Sequence, residues 1–430
     1  MLTDYEMDFL ENLISIKSCS GTPENGAPYG RTHRDALDFF LGKASEEGFE
    51  TGVINDKAGW VETGTGPLLG ILCHLDVVPE GIGWNSDPFE LKLENGLFTG
   101  RGIVDDKGPA AASFFAMRRL KEQGLLPDCR VRLILGTDEE RTCDCVEEYA
   151  KHCEIPEFAI TPDAEFPVIF AEKGILQIKI QGMDCDRALW ADAGSAANMV
   201  PAKAVIKNDK GLYVEADGVP SHASRPELGK NAIFEAVAKL SDADIGRSLL
   251  LQYINGYLPI FDAERFTGCD MEDLSGKVTA NPAIFKICDG TESLVCDIRY
   301  PATYPYEKIL DYIGENAARY GLTVSVTSHM KPLIKDKDAE QVKILTDIWK
   351  DNMHLYEGYR DEYKDIYSEP IAIGGGTYAR HIPNTIAFGL QAPWAKDQCH
   401  QANESRCLTD FEADIKVLSE AIKKLGQSLL

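Results

Sequence analysis

PLLGILCHLD, residues 67–76, is a short apolar run that closes on His74 and Asp76. Unbroken apolar character over so few residues marks a strand covered on both faces, as in the sheets of α/β proteins. CRVRLILGT (129–137) and EFAIT (157–161) share this character. Helical spacing surrounds them. Residues 4–17 place Phe9, Leu10, Leu13, Ile14 and Ile16 on one face behind Thr3 and Asp4 as candidate caps. Residues 32–47 continue the helical pattern up to Gly48, and GPAAASFFAMRRLKEQG (108–124) ends in glycine. Strands alternating with helices predict an α/β fold with a mostly parallel sheet flanked by helices.

The middle of the chain has a different texture. Turn signals crowd together from about 181 to 330, and strand-like runs such as SLVCDIRY (293–300) appear. We read an α+β domain, 181–330, inserted into a catalytic domain formed by 1–180 and 331–430. The first pattern resumes with a helix near 338–352, a strand at TIAFGL (385–390) and a last helix near 408–425.

The 430 residues exceed one ordinary core, which agrees with two domains. Nucleic acid would need a basic stripe, and the sequence shows none; its net charge of −25 disfavours anionic membrane surfaces as well. Twelve cysteines without a framework predict free thiols in a reducing compartment. The opening MLTDYEMDFLENL lacks the basic and apolar regions of a signal peptide, and no apolar run approaches the roughly 20 residues of a membrane helix. A cytoplasmic protein is expected.

Ligands of α/β proteins bind outside the carboxyl ends of the strands, and His74, Glu140 and Asp163 all fall there. In His74-Leu75-Asp76 the two polar side chains point the same way on an extended backbone, so Asp76 can orient the imidazole of a metal-binding His74. In GRGIVDDKG (100–108) Asp105 precedes a helix, and its two oxygens can bridge two cations. In GTDEE (136–140) three adjacent carboxylates repel one another. A cation offsets that cost, and one carboxylate can bind metal while its neighbour takes a proton from water. TPDAEFP (161–167) and CHQANE (399–404) add Asp163 and His400. Two histidines and three carboxylates suit Zn²⁺ or Mn²⁺. Cys143-x-Cys145 lacks a second cysteine pair, and Gly374-Gly375-Gly376 lacks the Lys-Ser/Thr of a phosphate loop.

Taken as a set, HLDVVPEG, GWNSDPF, GRGIVDDKGP, GTDEER, TPDAEFP, SHASRPELGKNA, IGGGTYAR and CHQANE resemble the co-catalytic zinc peptidases. That superfamily holds aminoacylases, desuccinylases, carnosinases and bacterial dipeptidases, and the bacterial dipeptidase V (Xaa-His dipeptidase) type is the most similar. The resemblance implies two Zn²⁺, with Mn²⁺ or Co²⁺ as substitutes. His74 and Asp163 would hold one ion, Glu140 and His400 the other, with Asp105 bridging them. It makes Asp76 the partner of His74 and Glu139 the general base. It gives His222 the tetrahedral oxyanion, and Asn198 and Arg299 the substrate, with Arg299 at its C-terminal carboxylate. It makes the inserted domain a lid, shorter here than in dipeptidase V, which leaves monomer versus homodimer open, with the monomer favoured. Asp163, where deacylating members carry glutamate, points to hydrolysis of unblocked dipeptides. The alternatives are an N-acyl amino acid deacylase using the same metals and a non-catalytic metal-binding protein.

Overall fold

A computed structural model describes residues 1–183, 185–396 and 398–430. The chain divides into two compact units, residues 1–170 with 335–371 and 377–430, and residues 171–334 with 372–376.

The first unit is an α/β sandwich. Its strands are β1 (Glu50–Ile54), β2 (Ala58–Thr63), β3 (Leu68–His74), β4 (Arg130–Gly136), β5 (Phe158–Thr161), β6 (Val168–Glu172) and β7 (Thr385–Phe388). They run in the order β1-β2-β4-β3-β5-β7-β6. The four central strands β4, β3, β5 and β7 are parallel. All seven residues of β3 are buried, which explains its unbroken apolar sequence. The edges depart from parallel order. β1 and β2 form an antiparallel hairpin, because Asn55 and Asp56 take left-handed φ of 48° and 57°, as a tight hairpin turn requires. β6 pairs antiparallel with β7, and from β6 the chain passes into the second unit.

Helices α1 (Asp4–Ser15), α2 (Arg31–Glu46), α3 (Lys107–Glu122), α4 (Asp144–His152), α5 (Glu340–Asn352) and α6 (Leu408–Ser428) complete this unit. A capping box starts α1: Thr3 Oγ1 accepts from the Glu6 amide, and Glu6 Oε2 accepts from the Thr3 amide at 2.8 Å. Phe9 of α1 then meets Phe39 and Phe40 of α2 and Phe114 and Phe115 of α3, with ring centroids 5.1–5.4 Å apart. Alternation along the strands sends Leu72 and Ile134 to a different cluster, with Val146 and Tyr149 of α4 and with Tyr378.

The second unit carries a seven-stranded antiparallel sheet in the order Tyr213–Asp217, Lys203–Asn208, Leu189–Ala193, Thr279–Cys288, Thr291–Tyr300, Gly174–Met183, Thr323–Met330. Helices Ala232–Val237, Leu249–Asn255 and Tyr306–Ala318 bury Ile233, Leu250, Leu251 and Ile309 against it. Its first strand starts at Gly174 and pairs with Thr291–Tyr300 over ten residues, so the division falls before that strand rather than at 180. The glycine-rich segment 372–376 also belongs here. The Lys173 amide donates to Ile373 O at 3.0 Å, and Arg299 Nη1 donates to Gly374 O at 2.9 Å.

Phe9→Ala should cost about 3–5 kcal/mol, since it empties the centre of an aromatic cluster. Urea unfolding followed by tryptophan fluorescence measures the loss, and a cost near zero would show that α1 is not held by that ring.

Candidate metal centre

His74 is the last residue of β3 and is fully buried. Its Nδ1 lies 2.9 Å from the Asp76 carbonyl oxygen. A carbonyl only accepts, so Nδ1 carries a proton, and in the neutral ring Nε2 is the nitrogen with the lone pair. Nε2 lies 3.0 Å from Asp105 Oδ1 and 3.6 Å from Asp163 Oδ2. The Asp76 carboxylate stands farther from the ring, at 3.4 Å. It accepts instead from the amides of Glu139 and Glu140, each at 3.1 Å. Asp76 therefore orients His74 through its backbone and fixes the acidic turn through its side chain.

Two sets of donor atoms result. His74, Glu139 and Asp163 each place one ligand atom within 4.8 Å of the others, and so do His74, Asp105 and Glu140. Atoms each about 2.0–2.2 Å from one ion lie at most about 4.4 Å apart, so small adjustments suffice to close around a cation. His400 joins from the last loop. Its Nε2 is 3.0 Å from Asp105 Oδ2 and 3.1 Å from Glu140 Oε2, on a backbone with a left-handed φ of 64°.

The electrostatics ask for positive charge. Burial pushes the Glu139 carboxyl well above the ordinary range; His74 opposes this, while Asp163 and Glu140 add to it. Burial, then Asp105, pushes Asp163 up to about 7. Burial also acts to raise Asp105, but hydrogen bonds from His400 and His74 hold it low. Hydrogen bonds to Asp105 and Glu140 push His400 up to about 10. Such a carboxylate cluster is offset by protons or by a cation. Imidazoles and carboxylates without thiolate suit Zn²⁺ or Mn²⁺, so the residues fit a divalent ion. Cys143 and Cys145 do not enter the donor sets. Cys143 Sγ donates to Glu139 O at 3.4 Å, Cys145 Sγ lies 3.2 Å from Tyr378 Oη, and burial pushes the Cys145 thiol up to about 12.

Two residues at the site escaped sequence reasoning. Glu404 is fully buried, and its Oε1 accepts from the amides of Gly102, Val104 and Asp105 at 3.1, 2.8 and 3.2 Å. Its Oε2 accepts from Arg101 Nη1 at 2.7 Å. One carboxylate thus ties the loop that carries Asp105 to the loop that carries His400. The signal was present, an acidic residue inside CHQANE, but its partners lie 299 to 303 residues away in the chain. Tyr378, also fully buried, sets its ring edge-on to His74 at 5.9 Å.

Three sequence-predicted residues lie in the second unit. His222 Nδ1 is 2.6 Å from Ser224 Oγ. Asn198 is exposed, and its carbonyl accepts from the Ala223 amide at 2.8 Å. Arg299 is 4% exposed; Nε donates to Asp297 Oδ1 at 2.5 Å and Nη2 to Asp297 Oδ2 at 3.2 Å. Its contact with Gly374 O brings it next to the histidine loop, because a Cβ on Gly374 would lie 3.0 Å from Ser224 Cβ.

The sequence matches peptidase family M20/M25/M40 across residues 70–424. The chain belongs to this family. It is 33% identical to the Bacillus subtilis (strain 168) protein named "Putative dipeptidase YtjP", covering 94% of this chain and 92% of that one. Solved structures of this fold include the following two. The M20 family metallo-carboxypeptidase Sso-CP2 from Sulfolobus solfataricus superposes with a TM-score of 0.64 at 16% identity, covering 99% of this chain and all of that one. Aminoacylhistidine dipeptidase from Vibrio alginolyticus gives 0.61 at 13% identity, covering 99% and 97%. The chain is a hydrolase, a metal-dependent peptidase of the dipeptidase kind. Among the described residues no helix is long and apolar enough to cross a membrane.

Glu404→Gln replaces one accepting oxygen by a donor that faces other N–H groups. It should weaken metal binding by about 10- to 100-fold, the usual cost of disturbing a group that holds metal ligands in place. Competition against a chromophoric chelator reads this directly; unchanged affinity would show that the two loops hold their ligands without Glu404.

Proposed function

We propose that this peptidase hydrolyses unblocked dipeptides at two divalent ions, with Glu139 moving the proton. The observation that carries the reading is the acidic turn after β4. There Glu139 and Glu140 are adjacent, their amides are fixed on Asp76, and their carboxylates belong to different donor sets around one imidazole. His74 and Asp163 would hold one ion and Glu140 and His400 the other, with Asp105 between them. Zn²⁺ is the ion we favour, with Mn²⁺ or Co²⁺ able to replace it. Such ions polarise a carbonyl and lower the pKa of water when bound.

Glu139 takes a proton from the water that attacks the scissile carbonyl. It returns that proton to the leaving amine, so the residue ends as it began. His222 is assigned to the oxyanion, and Asn198 and Arg299 to the substrate. Asp297 and Gly374 O engage three of the five guanidinium N–H groups of Arg299, which holds it rigid for a bidentate pair with a terminal carboxylate. The second unit would serve as the lid that carries these three. Asp163 supports a preference for a free amino terminus, through the resemblance. Twelve cysteines with no disulfide among the described residues support a cytoplasmic setting.

Purified protein should cleave free dipeptides, lose activity to a chelator, regain it with zinc or manganese, and leave the N-acetylated forms intact. Cleavage of only the acetylated forms would move the function to deacylation. Glu139→Gln should lower kcat by about 10²–10⁴-fold while the metal content is unchanged. Near-parent turnover by that variant would remove Glu139 from the role of base. Arg299→Met should raise KM for dipeptides with a free carboxylate and leave C-terminally amidated ones unaffected; equal losses on both would end the carboxylate assignment.

A further inference from the structure

The loop that carries His222 is fixed by its own backbone. The Val200 amide donates to Ser221 O at 2.8 Å, the Ala223 amide to Asn198 O at 2.8 Å, and the Arg225 amide to His222 O at 3.0 Å. Met199 and His222 form a β-bridge, and Asn281, itself buried, donates from Nδ2 to Met199 O at 2.9 Å. Ala223 is fully buried between His222 and Ser224. Residues 221–225 therefore hold one shape.

Within that shape the Ser224 amide donates to His222 Nδ1 at 3.2 Å. Which ring nitrogen carries the proton follows from the partner. An amide N–H donates and never accepts, so Nδ1 must present its lone pair. The Ser224 hydroxyl, 2.6 Å from the same nitrogen, then also points its proton there. A neutral imidazole whose Nδ1 accepts has its proton on Nε2.

We propose that Ser224 is a positioning residue that sets the tautomer of His222, so that the imidazole offers an N–H donor at Nε2. This rests on the reading above that His222 stabilises the tetrahedral oxyanion. That role needs a donor aimed at developing negative charge, and the other tautomer would offer a lone pair there instead. Gly374 packs on Ser224, which limits the room for the serine side chain to turn away. The arrangement reverses that of His74. There a carbonyl accepts from Nδ1 and leaves Nε2 bare for a cation; here an amide donates to Nδ1 and leaves Nε2 protonated for an anion.

The test uses the zinc-loaded full chain with ¹⁵N-labelled histidine. Long-range ¹H–¹⁵N correlation spectra separate protonated from bare ring nitrogens, and the His222→Ala spectrum assigns the His222 signals. The expected result is a protonated Nε2 and a bare Nδ1. Ser224→Ala removes the closer donor and should lower kcat about three- to tenfold with KM little changed, the scale of one hydrogen bond. Ser224→Thr restores a hydroxyl and should recover most of that loss. A protonated Nδ1 in the parent protein would overturn the proposal whatever the kinetics. Equal kcat in Ser224→Ala, Ser224→Thr and the parent would overturn the hydroxyl's part in it. A protonated Nε2 together with full activity of His222→Ala would uphold the tautomer and remove the oxyanion role instead.

Discussion

Asp105, Glu139, Glu140 and Asp163 meet one buried imidazole at the carboxyl end of a sheet whose central strand excludes water. Like charges at such distances cannot all ionise in a low dielectric without compensation. The protein therefore carries a standing demand for positive charge at this point. Much of the surrounding structure serves to keep the carboxylates together in spite of their repulsion. Asp76 accepts two amides of the acidic turn, Asp106 Oδ2 accepts the His74 amide at 2.8 Å, and Glu404 accepts three amides of the Asp105 loop. Each of these holds a ligand through backbone rather than through its titrating side chain.

This division of labour keeps the ligand side chains available for a cation. The loops are held by carboxylates that accept backbone amides: Asp76, Asp106 and Glu404. Glu404 is paired with Arg101, whose guanidinium lies over the Trp84 ring at 5.3 Å. A buried pair of this kind contributes little net stability by itself but is costly to break on one side. Its value here is geometric. The loops carrying Asp105 and His400 cannot drift apart while one carboxylate holds both.

The fold was largely legible because its signals are periodic. The buried run at β3, the helical spacing of Phe9, Leu10, Leu13 and Ile14, and the cap at Thr3 are each carried by residues only a few positions apart. The antiparallel edge was not read, since it depends on left-handed backbone at Asn55 and Asp56. Nor was the place of Gly374–Gly376 beside Arg299, which depends on contacts across 75 residues of chain.

By itself the sequence determined the chemistry on offer: which imidazoles and carboxylates fall at strand ends, and that thiolates and phosphate loops have no part. Tertiary structure decided how each group is used. Asp76 orients His74 with its carbonyl and spends its carboxylate on the acidic turn, Glu404 joins two distant loops, and opposite tautomers face opposite ways in His74 and His222. The reason is physical. Residue identity and local period are properties of the covalent chain, whereas the partner of each hydrogen bond depends on the folded backbone, whether it lies 2 residues away as for His74 and His222, 63 as for Asp76, or 302 as for Glu404.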